Sequence, residues 1–249
     1  MTRPVMLVTG GSRGIGAATC RLAAAAGYDV AVNYASNRDA ADEVVSACRD
    51  AGAAAVAVQA LVESEADVIA MFEKVVGELG PIGCLVNNAG IVQDQVRFDE
   101  MSVERWREMF DVNVIGSFIC AREAVQRMST RHGGAGGSIV NVSSAASYLG
   151  SPGEYVDYAA SKAAIDTMTM GLGKEVAEEG IRVNAVRPGV VYTDIHASGG
   201  EPGRVNRVAG GVPMRRGGQP EEVAETILWL ASDAASYITA TTINVSGGR

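Results

Sequence analysis

The sequence has few basic residues, few aromatic residues and no long apolar run. Its 249 residues include 21 Lys and Arg against 29 Asp and Glu, which gives a formal net charge of -8. Binding to nucleic acid or to an anionic membrane needs a positively charged face, so this balance argues against both partners. No apolar stretch approaches the roughly 20 residues that a membrane-spanning helix needs. We therefore expect a globular protein that binds neither nucleic acid nor membrane.

Cysteine and histidine are also scarce. The two histidines, His132 and His196, lack the partner pattern of a metal site or a hydrolytic triad. The apolar run that begins at Val5 leaves no room for a signal peptide. We expect a reduced, cytoplasmic protein without a bound metal. Neither a zinc site nor a disulfide framework is indicated, because no C-x-x-C pair occurs among the cysteines, which are Cys20, Cys48, Cys84 and Cys120.

A glycine-rich turn stands between a strand-like run and a helical segment near the amino terminus. The run ends at Thr9, and an alanine-rich helical pattern begins at Ala17. Glycines let the backbone turn tightly and approach a ligand, while the N–H groups and the dipole of the helix start attract a pyrophosphate. A glycine-rich turn without a ligand is the alternative, but the flanking strand and helix favour dinucleotide binding. The candidate cofactor-binding residues are Gly10, Ser12, Arg13, Gly14, Ile15 and Gly16.

The second strand lacks the acidic residue that usually binds the ribose 2′-hydroxyl of NAD. Asn33 and Tyr34 stand at its end instead, and Arg38 follows shortly. Arg13 lies in the glycine-rich turn and could reach the same place. Because a guanidinium is suited to binding a 2′-phosphate, NADP(H) is favoured over NAD(H). Both arginines could equally be solvated surface residues.

Strand-like and helical segments alternate to the end of the chain. The alternation predicts one α/β domain over residues 1–249, with a three-layer, doubly wound Rossmann fold and a mostly parallel seven-stranded sheet between helices. Ligands of such sheets bind at the carboxyl ends of the strands, so Asn88, Ala89 and Gly90 are expected to pack on the cofactor. Residues 194–220 are rich in Gly and Pro and are predicted to form a lid over the substrate.

Tyr158 and Lys162 are placed on one face of a predicted helix, one turn apart. A free phenol has a pKa of about 10, and a nearby cation lowers that pKa toward the range where general acid–base catalysis is effective. An isolated Y-x-x-x-K is more often a pair on a helix surface. The glycine-rich turn in the same chain favours the catalytic interpretation. Tyr155 is two turns from Lys162 and too distant for a direct pair.

The helix that carries this pair, from Tyr158 to about Glu178, is small or apolar nearly all round in its first half. A helix without a polar face is buried on all sides. A helix outside a sheet reaches that state only when another subunit covers it. We therefore predict a homo-oligomer that buries this helix.

Taken together, the motifs resemble the single-domain short-chain dehydrogenase/reductase family along nearly the whole chain. Within that family the chain is similar to bacterial 3-oxoacyl-carrier-protein reductases and to glucose-dehydrogenase-like members. Each motif is weak alone, but they occur in the family's order and strand context. The matching segments are Thr9 to Gly16, Asn87-Asn88-Ala89-Gly90, Asn113, Ser143-Ser144, Tyr158 with Lys162, Pro188-Gly189 with Thr193, and Gly247-Gly248.

The resemblance implies an oxidoreductase that transfers hydride between NADP(H) and a carbonyl compound or secondary alcohol. In the family pattern Tyr158 donates the proton, and Lys162 lowers the tyrosine pKa and holds the nicotinamide ribose. Ser144 binds the substrate oxygen, and its spacing from the tyrosine matches the family better than that of Ser143. Asn113 would hold a water that relays protons to Lys162.

The resemblance also implies a homotetramer and further cofactor contacts, with three departures from the family pattern. Ala240 stands where the family commonly has a turn glycine, and Ser246 replaces the acid before the final glycine pair. Leu61 stands where the family usually has an Asp that bonds the adenine amine, so adenine recognition must rest on backbone groups or be weaker. These departures keep open a dinucleotide-binding sensor or scaffold with little catalysis. An NAD-dependent sugar or alcohol dehydrogenase is a second alternative, which cofactor preference would decide. The additional cofactor-binding residues are Leu61, Val62, Pro188, Gly189, Val191 and Thr193.

Overall fold

Seven strands form one sheet in the computed structural model, which describes residues 3–249. They are β1 (Val5–Val8), β2 (Asp29–Tyr34), β3 (Ala55–Gln59), β4 (Ile82–Asn87), β5 (Gly137–Val142), β6 (Ile181–Pro188) and β7 (Thr242–Val245). Their order is β3-β2-β1-β4-β5-β6-β7, and every neighbouring pair is parallel. The predicted Rossmann fold is confirmed, with a wholly parallel sheet.

Helices cover both faces of the sheet. Across residues 3–249 they are α1 (Gly14–Ala25), α2 (Arg38–Asp50), α3 (Glu65–Leu79), α4 (Val103–Phe110), α5 (Gly116–Met128), α6 (Ala146–Leu149), α7 (Val156–Glu175), α8 (Ile195–Ser198), α9 (Arg204–Ala209) and α10 (Pro220–Ala231). Buried residues of α1, α2 and α10 form one hydrophobic core with the sheet, and those of α3 and α5 form the other. Helix α7 packs on β5 and β6.

Strand side chains alternate between the two cores. In β1, Met6 and Val8 enter the core with α1 and α10, whereas Val5 and Leu7 enter the opposite core. Successive side chains of a strand point to opposite faces. Because both faces are covered, the strands need apolar residues at nearly every position, which is why they read as continuous apolar runs.

Polar caps fix where several helices begin. The side chains of Asn37, Ser64 and Ser102 each accept a hydrogen bond from a backbone N–H in the first turn of α2, α3 and α4, respectively. Such a cap contributes about 1 kcal/mol to helix stability. Within residues 3–249, every helix falls short of the length and hydrophobicity that crossing a bilayer requires.

The strand order reverses between β1 and β4. From β1 the chain proceeds to β2 and β3 on one side, and from β4 it proceeds to β5, β6 and β7 on the other. The loops that leave two such strands diverge and open a crevice at the carboxyl ends, where ligands of this architecture bind. The fold therefore provides a binding crevice at the end of β1, next to the glycine-rich turn.

Candidate active site

A cavity of about 900 Å³ follows the carboxyl ends of the strands. Of the residues predicted to form the site, only Gly16 and Asn113 do not line it. The lining residues that the sequence predicted are Gly10, Ser12, Arg13, Gly14, Ile15, Asn33, Tyr34, Leu61, Val62, Asn88, Ala89, Gly90, Ser144, Tyr158, Lys162, Pro188, Gly189, Val191 and Thr193. The fold thus brings residues from the whole length of the chain into one continuous space.

The glycine-rich turn has the backbone conformation that its sequence suggests. Gly10 and Gly14 have φ values of +60° and +52°, which a side chain would strain. A Cβ at Gly16 would lie 2.3 Å from the Gly10 oxygen, so Gly16 permits close packing of the turn on α1 and does not face the cavity. The start of α1 at Gly14 leaves N–H groups without helical partners, which suits a phosphate.

Amide and hydroxyl side chains tie the end of β4 to this turn. The Thr9 hydroxyl accepts hydrogen bonds from the N–H groups of Asn88 and Ala89, each at 3.0 Å. The Asn88 amide donates to the oxygens of Thr9 and Gly10 at 2.9 and 3.0 Å. Asn88 therefore lines the cavity as a residue that positions the turn.

The structure gives Asn33 hydrogen bonds that the sequence did not indicate. Its side chain is buried, accepts a hydrogen bond from Gly10 N–H at 3.1 Å, and donates to the oxygens of Val58 and Ala60 at 3.3 and 3.1 Å. These bonds use both amide hydrogens and one acceptor position of the side-chain oxygen, and Asn33 also lines the cavity, so its contact with the cofactor stays a prediction. Asn33 anchors the glycine-rich turn to β3, because its place on an inner strand directs the side chain inward.

The two arginines considered for a 2′-phosphate differ in position. Arg13 is exposed, lines the cavity and forms no ion pair within residues 3–249. Arg38 pairs with Asp42 at 3.1 Å on the outer surface of α2 and does not line the cavity. Ser36 and Asn37, at the start of α2, line the cavity beside them. A phosphate at this end would meet the Arg13 guanidinium and the amino-terminal end of a helix.

Helix α7 directs Tyr158 and Lys162 into the same part of the cavity. The Lys162 ammonium lies 5.7 Å from the centroid of the Tyr158 ring and donates a hydrogen bond to the Val142 oxygen at 2.8 Å. Lys162 is buried, and burial lowers its pKa to about 8. The lysine is thus held by the end of β5, close to the phenol.

The predicted lowering of the Tyr158 pKa is not found. Burial raises the pKa of the Tyr158 phenol, a hydrogen bond with Ser144 acts in the opposite direction, and Tyr155 raises it further. Desolvation disfavours the charged form of both partners, so the phenol stays protonated and the ammonium loses its proton more easily. Residue spacing predicted the proximity of the two groups but could not predict that Lys162 is buried and Tyr158 partly buried.

The adjacent serines have different surroundings. Ser143 is buried, and its hydroxyl donates to the Lys162 oxygen at 3.1 Å. Ser144 accepts a hydrogen bond from Ala146 N–H at 3.1 Å, and its hydroxyl interacts with the Tyr158 hydroxyl. Strand alternation explains the difference, because neighbouring side chains leave β5 in opposite directions. Ser144 is thus the serine that can share a substrate oxygen with Tyr158.

Asn113 lies behind the cavity wall, in a π-helical turn (Asp111–Ile115) between α4 and α5. Its side-chain oxygen accepts from Ile91 N–H at 2.8 Å, and its amide donates to the Ile91 oxygen at 3.0 Å and to Ser161 Oγ at 3.1 Å. The amide hydrogens of Asn113 are thus used inside the protein, whereas its side-chain oxygen accepts a single bond within residues 3–249, so the water that would relay protons to Lys162 stays a prediction. A Cβ at Gly90 would lie 3.2 Å from Asn113 Oδ1 and 3.4 Å from Lys162 Nζ, so Asn113 supports the wall beside the lysine.

Tyr155, His196 and Arg204 are among the lining residues that were not assigned to the predicted site. The Tyr155 ring meets the Tyr158 ring edge-on at 6.5 Å, and its spacing of three residues from Tyr158 could have indicated a shared helix face. Burial lowers the pKa of His196, whose Nε2–H donates to the Val191 oxygen at 2.9 Å. Arg204 stacks on the Tyr155 ring at 5.0 Å. Both His196 and Arg204 belong to the predicted lid over residues 194–220, but no local pattern distinguished them from the other polar residues of that segment.

The predicted lid contains α8 and α9 and rests on the opposite wall of the cavity. Arg204 pairs with Glu154 and with Glu201, the latter at 3.3 Å, and Gln95 donates to the Tyr155 hydroxyl at 3.0 Å. A Cβ at Gly199 would lie 3.5 Å from the Tyr155 hydroxyl. The segment predicted to be a lid therefore packs against Tyr155 and Glu154, next to Tyr158.

Comparison with known proteins places the chain among oxidoreductases. Residues 10–249 match the family model described as Enoyl-(Acyl carrier protein) reductase. The chain is 57% identical over 245 residues to the uncharacterized oxidoreductase YgfF of Escherichia coli, covering 98% of this chain and 99% of that protein. It is 42% identical to a 3-oxoacyl-[acyl-carrier-protein] reductase of Synechocystis, covering 100% of this chain and 97% of the relative.

Solved structures agree with these relationships. A short-chain dehydrogenase/reductase from Serratia marcescens superposes with a TM-score of 0.91 at 32% identity, covering 99% of this chain and 98% of that one. The family model spans nearly all of the sequence, and the relatives share its full length. The chain belongs to the short-chain dehydrogenase/reductase family of oxidoreductases.

Proposed function

We propose that this protein is an NADP(H)-dependent oxidoreductase that interconverts a carbonyl compound and a secondary alcohol, with Tyr158 as the proton donor and acceptor. The main support is that Tyr158, Ser144 and Lys162 line the same cavity as the glycine-rich turn at Gly10 and Gly14. A dinucleotide bound on that turn would extend to these side chains. One cavity therefore contains both a cofactor cradle and groups for proton transfer.

The residues of the cavity fit a nicotinamide dinucleotide. Gly10 and Gly14 permit close approach of the backbone, and the start of α1 favours the pyrophosphate. At the other end, Pro188, Gly189 and Thr193 would hold the nicotinamide portion. When bound, the nicotinamide supplies or accepts the hydride. Thr193 also contacts the glycine-rich turn, because a Cβ at Gly14 would lie 3.2 Å from its methyl group.

The protonation states favour proton donation. Burial raises the Tyr158 pKa, so the phenol carries its proton at neutral pH and can donate it from Oη to a substrate oxygen. The Ser144 hydroxyl can bond the same oxygen. Lys162, with a pKa lowered to about 8, can then return a proton to the phenolate. These groups suit carbonyl reduction more than alcohol oxidation at neutral pH.

A 2′-phosphate is the feature that distinguishes NADP(H) from NAD(H), and Arg13 is the residue we assign to it. Its guanidinium lines the cavity and forms no ion pair within the described chain. No acidic side chain stands at the end of β2 to bind a free 2′-hydroxyl. At least tenfold tighter binding of NADH than of NADPH, about 1.4 kcal/mol, would contradict this assignment.

The substrate is proposed to be a small free molecule. The printed names of relatives include a 3-oxoacyl-[acyl-carrier-protein] reductase and the 3beta-hydroxysteroid dehydrogenase 1 of Eggerthella lenta, which is 41% identical over 98% of this chain. Relatives of similar identity thus act on different substrates. In this chain the predicted lid and the apolar side chains of Val92, Leu149 and Ile195 border the space beside Tyr158, which favours a compact carbonyl compound.

We also propose that the protein is a cytoplasmic homo-oligomer, and by family resemblance a tetramer. The described cysteines are all buried and unbonded, as is typical of a reducing compartment. Phe110, Ile115, Phe118 and Met170 are large apolar side chains exposed on α4, the π-helical turn, α5 and α7. Burying them against a second copy would remove this apolar surface from water. A monomer by light scattering at micromolar concentration would contradict the proposal.

Replacement of the phenol tests the proposed function. With NADPH and a panel of aldehydes and ketones, Tyr158→Phe should lose nearly all turnover, because no hydroxyl remains to protonate the substrate oxygen. NADPH binding, measured by fluorescence titration, should remain close to wild type. Tyr237→Phe removes the hydroxyl of a fully exposed tyrosine that does not line the cavity and serves as the matched control. Equal turnover of Tyr158→Phe and wild type would refute the assigned role.

A further inference from the structure

The loop after β3 forms one end of the cavity. Residues 60–63 line the cavity there, on the opposite side of β1 from Tyr158 and Lys162. Under the proposed function, the glycine-rich turn holds the pyrophosphate between these two ends. The adenine of the cofactor then lies at the loop after β3, where Leu61 presents a large apolar side chain that is 45% exposed.

Hydrogen bonds hold the backbone of this loop. Ala60 N–H donates to the Tyr34 oxygen at 3.1 Å, and Leu61 N–H donates to Asp67 Oδ2 at 3.1 Å. The Leu61 oxygen accepts from Ser64 N–H at 3.1 Å. Both main-chain polar groups of Leu61 therefore have partners, and only its side chain is left to face the cavity.

Packing fixes the next residue as well. Val62 is buried against α5, where a Cβ on Gly116 would lie 2.7 Å from Cγ2 of Val62. The N–H of Val62 has no acceptor within residues 3–249. The loop is thus rigid, and beside the Leu61 side chain it offers a main-chain donor suited to a ring nitrogen.

No carboxylate at this end is both fixed and available. The Asp67 carboxylate is occupied, because it accepts hydrogen bonds from Leu61 N–H and from the Ser64 hydroxyl at 3.0 Å. Glu63 lines the cavity, but its side chain is exposed and accepts no hydrogen bond within the described chain. A hydrated, unconstrained carboxylate gains little by exchanging water for an amine.

We infer that this protein binds the adenine of its cofactor through the apolar surface of Leu61 and the main chain of Val62, and that it does not recognise the amine at C6. The inference rests on the proposed function. A hydrogen bond to that amine would need an acceptor held in the cavity, and Leu61 occupies the place from which one would point. The cofactor site should therefore accept purines that differ only at C6.

The test compares two dinucleotides that differ only in this amine. One is NADPH, and the other is its analogue with unsubstituted purine in place of adenine, which keeps ring N1 as an acceptor. Dissociation constants are measured by fluorescence titration of wild type, Leu61→Asp and Glu63→Gln. Wild type and Glu63→Gln should bind the two within about twofold. Leu61→Asp should favour NADPH by about fivefold, because one hydrogen bond to a charged acceptor is gained.

The outcomes separate this inference from the proposed function. Preference of wild type for NADPH by fivefold or more would overturn the inference and leave the proposed function standing. If wild type prefers NADPH and Glu63→Gln abolishes that preference, the inference is overturned too, because Glu63 would then bind the amine. Failure of both dinucleotides to bind would overturn the proposed function and this inference with it. Equal binding by wild type together with a preference in Leu61→Asp would support the inference.

Discussion

Arg105 and Asp157 form a buried ion pair directly beside Tyr158, and removal of one partner should strongly destabilise the protein. Their side chains are only 10% and 1% exposed, respectively. Arg105 Nε and Nη2 donate to the two Asp157 oxygens at 2.7 and 3.3 Å, and Nη1 donates to the Asp94 oxygen at 2.7 Å. Asp157 Oδ1 also accepts from Tyr158 N–H at 2.9 Å. The pair therefore joins α4 to the first turn of α7.

The expected cost follows from leaving a buried charge without its partner. Arg105→Met keeps most of the side-chain volume but leaves the Asp157 carboxylate unpaired, which should lower the free energy of unfolding by about 3–5 kcal/mol. Arg97→Met is the matched control, because the Arg97–Asp99 pair is on the surface with side chains 76% and 65% exposed. Its loss should cost less than about 1 kcal/mol.

The assay is urea unfolding followed by circular dichroism at a fixed protein concentration, since the proposed oligomer makes stability depend on concentration. Single variants Arg105→Met and Asp157→Asn and the double variant complete a double-mutant cycle. We expect the double variant to be more stable than the sum of the two losses predicts, by about 2 kcal/mol. If Arg105→Met costs no more than Arg97→Met, the ion pair does not hold α7 and the reasoning from burial is wrong.

Two further predictions concern pH and the lid. Burial lowers the Lys162 pKa from 10.5 to about 8, so between pH 8 and 10 the unfolded chain binds more protons at this residue than the folded protein does. The free energy of unfolding of wild type relative to Lys162→Met should therefore rise with pH by about 1 kcal/mol per pH unit. If the free energies of unfolding of the two proteins change with pH in parallel across that range, the lysine pKa is not lowered by burial. Arg204→Met keeps an apolar side chain on Tyr155 but removes the ion pairs to Glu154 and Glu201. KM for the carbonyl substrate should rise about tenfold, equivalent to about 1.4 kcal/mol, with NADPH affinity unchanged. Arg215→Met, at an exposed position of the same lid, should leave KM unaltered.

Sequence patterns predicted the sheet and the cofactor cradle because each depends on local rules. Strands buried on both faces need continuous apolar runs, and the turn at Gly10 and Gly14 needs φ values that favour glycine. The spacing of Tyr158 and Lys162 fixed their common helix face. Each of these properties is set by residues that are neighbours in the chain.

The features that were not predicted depend on contacts between distant segments. Asn33 forms hydrogen bonds with the glycine-rich turn and with β3, which are distant from it in the chain. The approach of Arg204 to Tyr155 depends on the path of a long loop. The raised pKa of Tyr158 depends on burial by several elements at once. Local patterns contain no information about such packing.

The polar residues at the strand ends divide into two groups by their hydrogen bonds. The side chains of Asn33 and Asn113 both donate and accept hydrogen bonds inside the protein, and the Asn88 amide nitrogen donates there, so these residues hold backbone segments around the cavity. Arg13 lines the same cavity and forms no ion pair within the described chain, and the Tyr158 hydroxyl interacts there with Ser144. A polar group already bonded inside the protein loses that bond when it binds a ligand, whereas a group without such a partner does not. The hydrogen bonds to a ligand should therefore come from the second group. Replacement of an asparagine of the first group should shift the backbone around the ligand and remove no direct bond to it.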